Sequence, residues 1–182
     1  MNATLPQEYA EAWEKAKAFH GHVCPGLAMG CRIAVDALAH FVHSPSVDEE
    51  LVCVAETESC AVDAIQAITG CSMGKGNMLL RLRGKFAFSF FVRGRKTAAR
   101  FYWHERIHDA SREETVMRFL SAPADELYSI AEPSYAVPPL ARLNTPVACA
   151  VCGEYVSEPC VRLFEERFVC LDCHHPHPHI IV

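Results

Sequence analysis

Apolar residues at Tyr9, Ala12, Trp13, Ala16 and Phe19 recur at three- and four-residue steps between Pro6 and Phe19, the repeat of a helix with one buried face. The pattern breaks at His20-Gly21-His22 and at the turn Val23-Cys24-Pro25-Gly26. Leu27, Ile33, Ala34, Ala37, Leu38 and Phe41 then predict a longer helix running to about His43, with small residues crowded at its start. The valine-rich run from Leu51 to Thr57 reads as a buried strand. Helical spacing resumes from Cys60 to Ile68, where Gly70 supplies a C-cap.

Gly74, Gly76 and Asn77 mark a turn. Beyond it Met78–Leu82, Lys85–Arg93 and Thr97–Trp103 read as strands separated by Gly84 and by Gly94-Arg95, the last two forming a hairpin. Ser111 with Glu114 three residues later is a capping box that opens a helix to about Leu120, closed by Pro123. Helices, then a meander, then a further helix predict an α+β domain with a largely antiparallel sheet flanked by helices. Four prolines without periodicity between Glu132 and Pro146 identify an extended linker. The expected division is therefore a core at 1–132, a linker at 133–147 and a small module at 148–182.

That module carries Cys149-Ala150-Val151-Cys152 and, seventeen residues on, Cys170-Leu171-Asp172-Cys173. Two such knuckles joined by a short hairpin close a four-sulfur tetrahedron of bonds of about 2.3 Å, the geometry of structural Zn²⁺. A segment of this size cannot fold on an apolar core alone, so metal binding supplies its folding free energy. A closed four-thiolate shell leaves no position for substrate, and chemistry has to be sought in the first domain. Cys160 lies between the knuckles, outside the pattern, and the tail His174-His175-Pro176-His177-Pro178-His179 has the composition of a metal-binding tract without a period.

A net charge of −5 gives no general attraction for nucleic acid or anionic membrane. Between the knuckles, Arg162 and Arg167 are outweighed by Glu154, Glu158, Glu165 and Glu166, which disfavours phosphate contacts and suits a protein-docking role better. The stripe Arg81, Arg83, Lys85, Arg93, Arg95, Lys96 and Arg100 reads as a solvated sheet face. Apolar runs fall short of the roughly 18–20 residues that span a bilayer. Met1 to Trp13 holds two glutamates, Glu8 and Glu11, and no apolar run, so ten cysteines are expected in a reducing cytoplasm, as ligands or nucleophiles.

In the core, His20, His22 and Cys24 lie within five residues at a helix end, and imidazole with thiolate suits Zn²⁺ or Ni²⁺. Cys60, at an expected helix N-terminus, is a candidate nucleophile, because unpaired amides there favour thiolate; Asp63 follows on the same face. Cys71 and Lys75 fall in the glycine-rich loop Gly70 to Asn77, where a cation would lower a thiol pKa further and an anion could be held. The loop is one residue short of a P-loop before its lysine and lacks the following Ser or Thr, which excludes nucleotide hydrolysis by that device.

Phe19-His20-Gly21-His22-Val23-Cys24-Pro25-Gly26-Leu27-Ala28, Glu58-Ser59-Cys60-Ala61-Val62-Asp63-Ala64-Ile65-Gln66 and Gly70-Cys71-Ser72-Met73-Gly74-Lys75-Gly76-Asn77 together resemble the FmdE family of formylmethanofuran dehydrogenase, over roughly residues 10 to 132. Some of its members carry a treble-clef zinc finger like the one at Cys149 to Cys173. The resemblance implies an α+β core, a homodimer and one pocket gathering His20, His22, Cys24, Cys60, Asp63, Cys71, Lys75 and Asn77, with His43 and the histidine tail outside it. It also implies association with a molybdenum or tungsten enzyme, without assigning a catalytic step. The leading expectation is a metal-binding accessory or metal-handling protein with a core site of Zn²⁺ or Ni²⁺. The alternatives are sulfur or acyl transfer by a Cys60 nucleophile with His20 or His22 as base, a catalytic Zn²⁺ with three protein ligands, and tetrapyrrole ligation through Cys24.

Overall fold

The computed structural model describes residues 5–41, 44–106 and 110–175. Helix α1 spans Gln7–His20 and ends where Gly21 adopts φ 85° and donates its N–H to Lys17 O, a left-handed cap open to glycine without strain. Helix α2, Pro25–Phe41, begins with proline at its first position, where the missing N–H costs nothing. His43, the expected end of this helix, lies outside the described residues.

Strand β1, Leu51–Ala55, is followed by α3, Ala61–Thr69, and by β2, Met78–Leu80; β3, Ala87–Val92, and β4, Thr97–Trp103, form a hairpin. Helix α4, Arg112–Ser121, opens on the complete capping box of Ser111 and Glu114, and Ala122 caps its end. The short α5, Ala124–Leu127, and β5, Tyr128–Ala131, complete the domain. The sheet order is β2-β1-β3-β4-β5, with β1 and β2 parallel and every other neighbouring pair antiparallel. The architecture is α+β with an antiparallel-dominated sheet. Strand β5 has no counterpart in the apolar pattern because only Tyr128 of its four residues is buried.

One face of the sheet carries the main core. Cys53, Ala55, Phe88, Phe90, Phe101 and Trp103 pack there with the inner faces of the helices. Helices α2 and α3 approach very closely at Gly30, where an added Cβ would stand 2.2 Å from Ala61 O. The opposite face buries a smaller cluster, Val52, Val54 and Phe91 with Leu79, Ala98 and Tyr135. Because both faces are covered, all five residues of β1 are buried, which explains its continuous apolar run.

The cover on the second face comes from the proline-rich segment. Arg93 donates to Pro138 O (2.7 Å) and Pro139 O (3.0 Å), Ala141 N donates to Glu49 Oε2 (3.1 Å), and Arg81 stacks on Tyr135 at 4.4 Å. Residues 133–141 thus form a strap on the core, and the chain divides into compact units Met1–Ala141 and Arg142–Val182. The second unit consists of two antiparallel hairpins, β6 (Pro146–Ala148) with β7 (Tyr155–Ser157) and β8 (Val161–Phe164) with β9 (Arg167–Cys170). Among its described residues the buried apolar ones are Cys149, Val169 and Cys170, too few to sustain a core.

Candidate metal centres

Three chain segments meet at the first centre. The left-handed turn at Gly21 folds the chain back so that the rings of His20 and His22 lie 4.2 Å apart. Cys24 stands just before α2, where its sulfur accepts the Leu27 N–H at 3.3 Å and lies 3.9 Å from His20 Nε2. Cys60 occupies the N-cap position of α3, and Gly26 lets α2 approach it, since a Cβ there would touch Cys60 Cβ at 3.3 Å. One ligand atom from each of His20, His22, Cys24 and Cys60 lies within 4.8 Å of every other, an arrangement that could hold a metal ion.

Asp63 stands one turn along α3 from Cys60, and its Oδ2 lies 2.7 Å from His20 Nδ1. With Nδ1 donating to this carboxylate, Nε2 keeps its lone pair for the cluster, the usual device for orienting a metal-binding histidine. Asp63 is therefore placed to act as a positioning group for His20. Exposure is graded across the four donors: Cys24 is buried, His20 and Cys60 are half-buried, and His22 is exposed. Beside them a cavity of about 350 Å³ is lined by His20, Cys60, Asp63, Gln66, Met73 and Leu80. Gln66, Met73 and Leu80 lie outside the expected set of site residues, and Leu80 carries no ligating atom; the helical step from Asp63 to Gln66 points to the first of them.

Cys71, Lys75 and Asn77 of the glycine-rich loop do not join the four donors of this centre. Asn77 is fully buried, accepts from Ser72 N (2.8 Å) and donates to Asp48 O and Leu51 O (2.9 Å each). Lys75 Nζ donates to Ser46 O (2.9 Å) and Val47 O (3.3 Å), and Cys71 Sγ is buried against Leu51 O (3.4 Å). These three residues hold the loop to the 46–51 turn, because unpaired backbone carbonyls there need donors. Cys71 is accordingly outside the donor set, and burial pushes its thiol up to about 11 despite Thr69 and Lys75.

The expectation of a helix-activated thiolate at Cys60 is also corrected. Desolvation is the largest influence on its thiol, the hydrogen bond with Cys24 adds to it, and the pKa is raised. Desolvation of the charged sulfur outweighs the amides at this helix end. Buried Cys53 is likewise raised well above an ordinary thiol.

The second centre gathers Cys149, Cys152, Cys170 and Cys173 by the same distance criterion, so it too could hold a metal ion. The Cys149 sulfur accepts N–H bonds from Cys170 (3.3 Å) and Val151 (3.5 Å). Backbone donors of this kind, with that of Cys152 foremost, lower its thiol pKa to about 6, whereas the neighbouring Cys170 thiol pushes Cys173 up to about 12. Cys160 is exposed in the 3₁₀ turn Glu158–Cys160 and lies outside the cluster. His174 packs edge-on against Phe164 at 5.7 Å. His177 and His179 of the tail lie outside the described residues. No helix among the described residues is long and apolar enough to cross a membrane.

Comparison with known proteins identifies the family and the fold. A probable S-adenosyl-L-methionine-binding protein of Archaeoglobus fulgidus is 30% identical over 119 residues, which are 63% of this chain and 30% of that protein. The chain thus spans less than a third of that relative. The crystal structure of a tungsten formylmethanofuran dehydrogenase FmdE-like protein from Syntrophus aciditrophicus superposes with a TM-score of 0.71, covering 98% of this chain and 100% of that one at 22% identity, and shows the same fold. A family profile described as FmdE, molybdenum formylmethanofuran dehydrogenase operon, matches residues 19–129, which contain all four donors of the first centre and Asp63. The chain belongs to the FmdE family.

Proposed function

We propose that this protein is a cytoplasmic, homodimeric zinc protein that serves as an accessory or metal-handling partner of a molybdenum- or tungsten-dependent oxidoreductase such as formylmethanofuran dehydrogenase. The observation that carries the reading is the first centre: two imidazoles and two thiols within 4.8 Å, with one imidazole oriented by Asp63. Mixed nitrogen and sulfur donors suit Zn²⁺, with Ni²⁺ as the competing ion. The exposed His22 is a ligand that could leave, as a protein that accepts and releases an ion requires. Four convergent donors favour a small ion over a planar tetrapyrrole. The second centre, with four thiols around a minimal apolar core, fits structural Zn²⁺ that holds its unit folded. The cytoplasmic reading is supported by the ten free cysteines. Exposed Phe19, Val23, Met73, Leu80 and Leu82, which belong to or adjoin the segments around the first centre, support an interface there.

The cavity beside Cys60 favours a second reading, a zinc-dependent reaction in which an exchangeable position next to His20 and Cys60 polarises a small substrate. Bound metal would supply Lewis acidity; Cys24, Cys60 and the histidines would hold it, and Asp63 would keep His20 in the correct tautomer.

Elemental mass spectrometry on anaerobically purified protein tests the reading. Two zinc ions per intact chain are expected, one lost on Cys24→Ser and the other on Cys149→Ser. A single ion that survives Cys24→Ser would overturn the core centre, and nickel in place of zinc would overturn the assignment of the ion.

A further inference from the structure

A second concave site lies on the sheet face opposite the helices. Side chains alternate across a strand, so while Ala99 and Phe101 of β4 enter the main core, Arg100 between them points to the other face, where it meets Glu56. The run that leaves β2 is held along the end of β1 by Arg81 N to Ala55 O (2.8 Å) and Arg83 N to Glu56 O (2.9 Å). This run and the strap residues Ser134 and Tyr135 enclose a cavity of about 330 Å³ above Glu56 and Arg100.

The charges lining it do not balance internally. Glu56, 5% exposed, is engaged by Arg100 through Nε to Oε1 (2.6 Å) and Nη2 to Oε2 (2.9 Å). Among the described residues, Arg81 lies over the Tyr135 ring without a carboxylate partner, and the Arg83 guanidinium donates only to its neighbour Leu82 O (2.9 Å). The Lys85 ammonium makes no hydrogen bond or ion pair among the described residues, and Glu132 alone remains as an opposing charge at the rim. The Tyr135 hydroxyl is buried with no hydrogen-bond partner among the described residues. A buried hydroxyl without a partner is costly, and three exposed cations around one cavity, facing Glu132 and the already engaged Glu56, leave it with an excess of positive charge. A single guest bearing two negative charges and several acceptor oxygens relieves both.

We propose that this cavity binds the phosphate group of a small molecule. Arg81, Arg83 and Lys85 supply the charge and Tyr135 Oη donates a hydrogen bond to a phosphate oxygen. A phosphate carries about −1.5 to −2 charge at neutral pH and three or more strong acceptors, which matches this donor set better than a monocarboxylate does. The site is separate from the first metal centre, because Leu80 belongs to the cavity beside Cys60 whereas Arg81, the next residue, turns into this one.

The test is a heteronuclear NMR titration of the full zinc-loaded chain with inorganic phosphate, then pyrophosphate, then succinate, at constant ionic strength. Saturable shifts are expected at the amides of Arg81 to Lys85 and of Ser134 and Tyr135. Arg83→Gln with Lys85→Gln should weaken binding by more than tenfold and Tyr135→Phe by several-fold, as expected for loss of charge-assisted and neutral hydrogen bonds respectively. Non-saturating shifts, an unchanged response in the double variant, equal binding of succinate, or shifts centred on Glu58 to Asp63 would each overturn the proposal.

Discussion

Asp63 decides which nitrogen of His20 faces the donor cluster, so a change of one atom there should be felt by the metal. Asp63→Asn keeps the size of the side chain but removes the charge that fixes the tautomer, and metal affinity should fall by about 10- to 100-fold with little change in fold. Competition against a chromophoric chelator measures this; an unchanged affinity would mean that His20 is oriented by packing alone. Glycine acts through space in two grades. At Gly30 a methyl group would stand 2.2 Å from Ala61 O and 2.6 Å from its Cα, so α2 and α3 must move apart, at about 1–3 kcal/mol for overpacking or more. At Gly26 the nearest atom is Cys60 Cβ at 3.3 Å, and the neighbour need yield only slightly. Thermal unfolding should therefore show a clear loss for Gly30→Ala and a much smaller one for Gly26→Ala.

Two groups tie elements together on the outer sheet face. Glu56, just beyond β1, is held by Arg100 of β4, which lowers its carboxyl pKa below 4.5; desolvation opposes this, and Lys85 and Arg81 reinforce it. A depressed folded-state pKa gives stability that is present above the unfolded value of 4.5 and is lost as pH falls through the folded value. Stability should decline with acid over that window, and the slope should be shallower in Glu56→Gln, read by denaturant unfolding at successive pH values. Arg93 grips the strap through Pro138 O and Pro139 O and reaches Glu49 O at 3.0 Å on the core side. Arg93→Met removes these donors but keeps an aliphatic stem, so limited proteolysis within residues 133–141 should accelerate while cleavage elsewhere does not.

The two units rest on different physics. Met1–Ala141 has a continuous apolar core under its helices, whereas the described residues of Arg142–Val182 include three buried apolar positions and four convergent thiols. Removal of metal with a strong chelator should abolish hydrogen-exchange protection in β6 to β9 while β1, β3 and β4 stay protected. Simultaneous loss of protection in both units would show that the first centre also carries the stability of the core.

Legible from the residues alone are the features set by neighbours along the chain. The cap at Gly70, the capping box of Ser111 and Glu114 and the turn at Gly94-Arg95 depend on hydrogen bonds spanning a few residues, and the boundaries of β4 follow from local alternation. The knuckles at Cys149 and Cys170 are equally local, because a CxxC step brings two sulfurs together wherever it occurs. What converges from a distance was decided by packing. Cys60 and Asp63 meet His20 only because α3 lies against α1 and α2, with Gly30 and Gly26 permitting the approach. Packing turned Cys71, Lys75 and Asn77 onto the 46–51 turn although they share a motif-rich loop, since carbonyls buried there by the fold required their donors. It set the protonation preference of Cys60, where burial exceeds the influence of the helix end. It also made a strap of residues that read as a linker, because proline-rich chain has no period of its own and takes its place from the arginines and aromatic rings it meets.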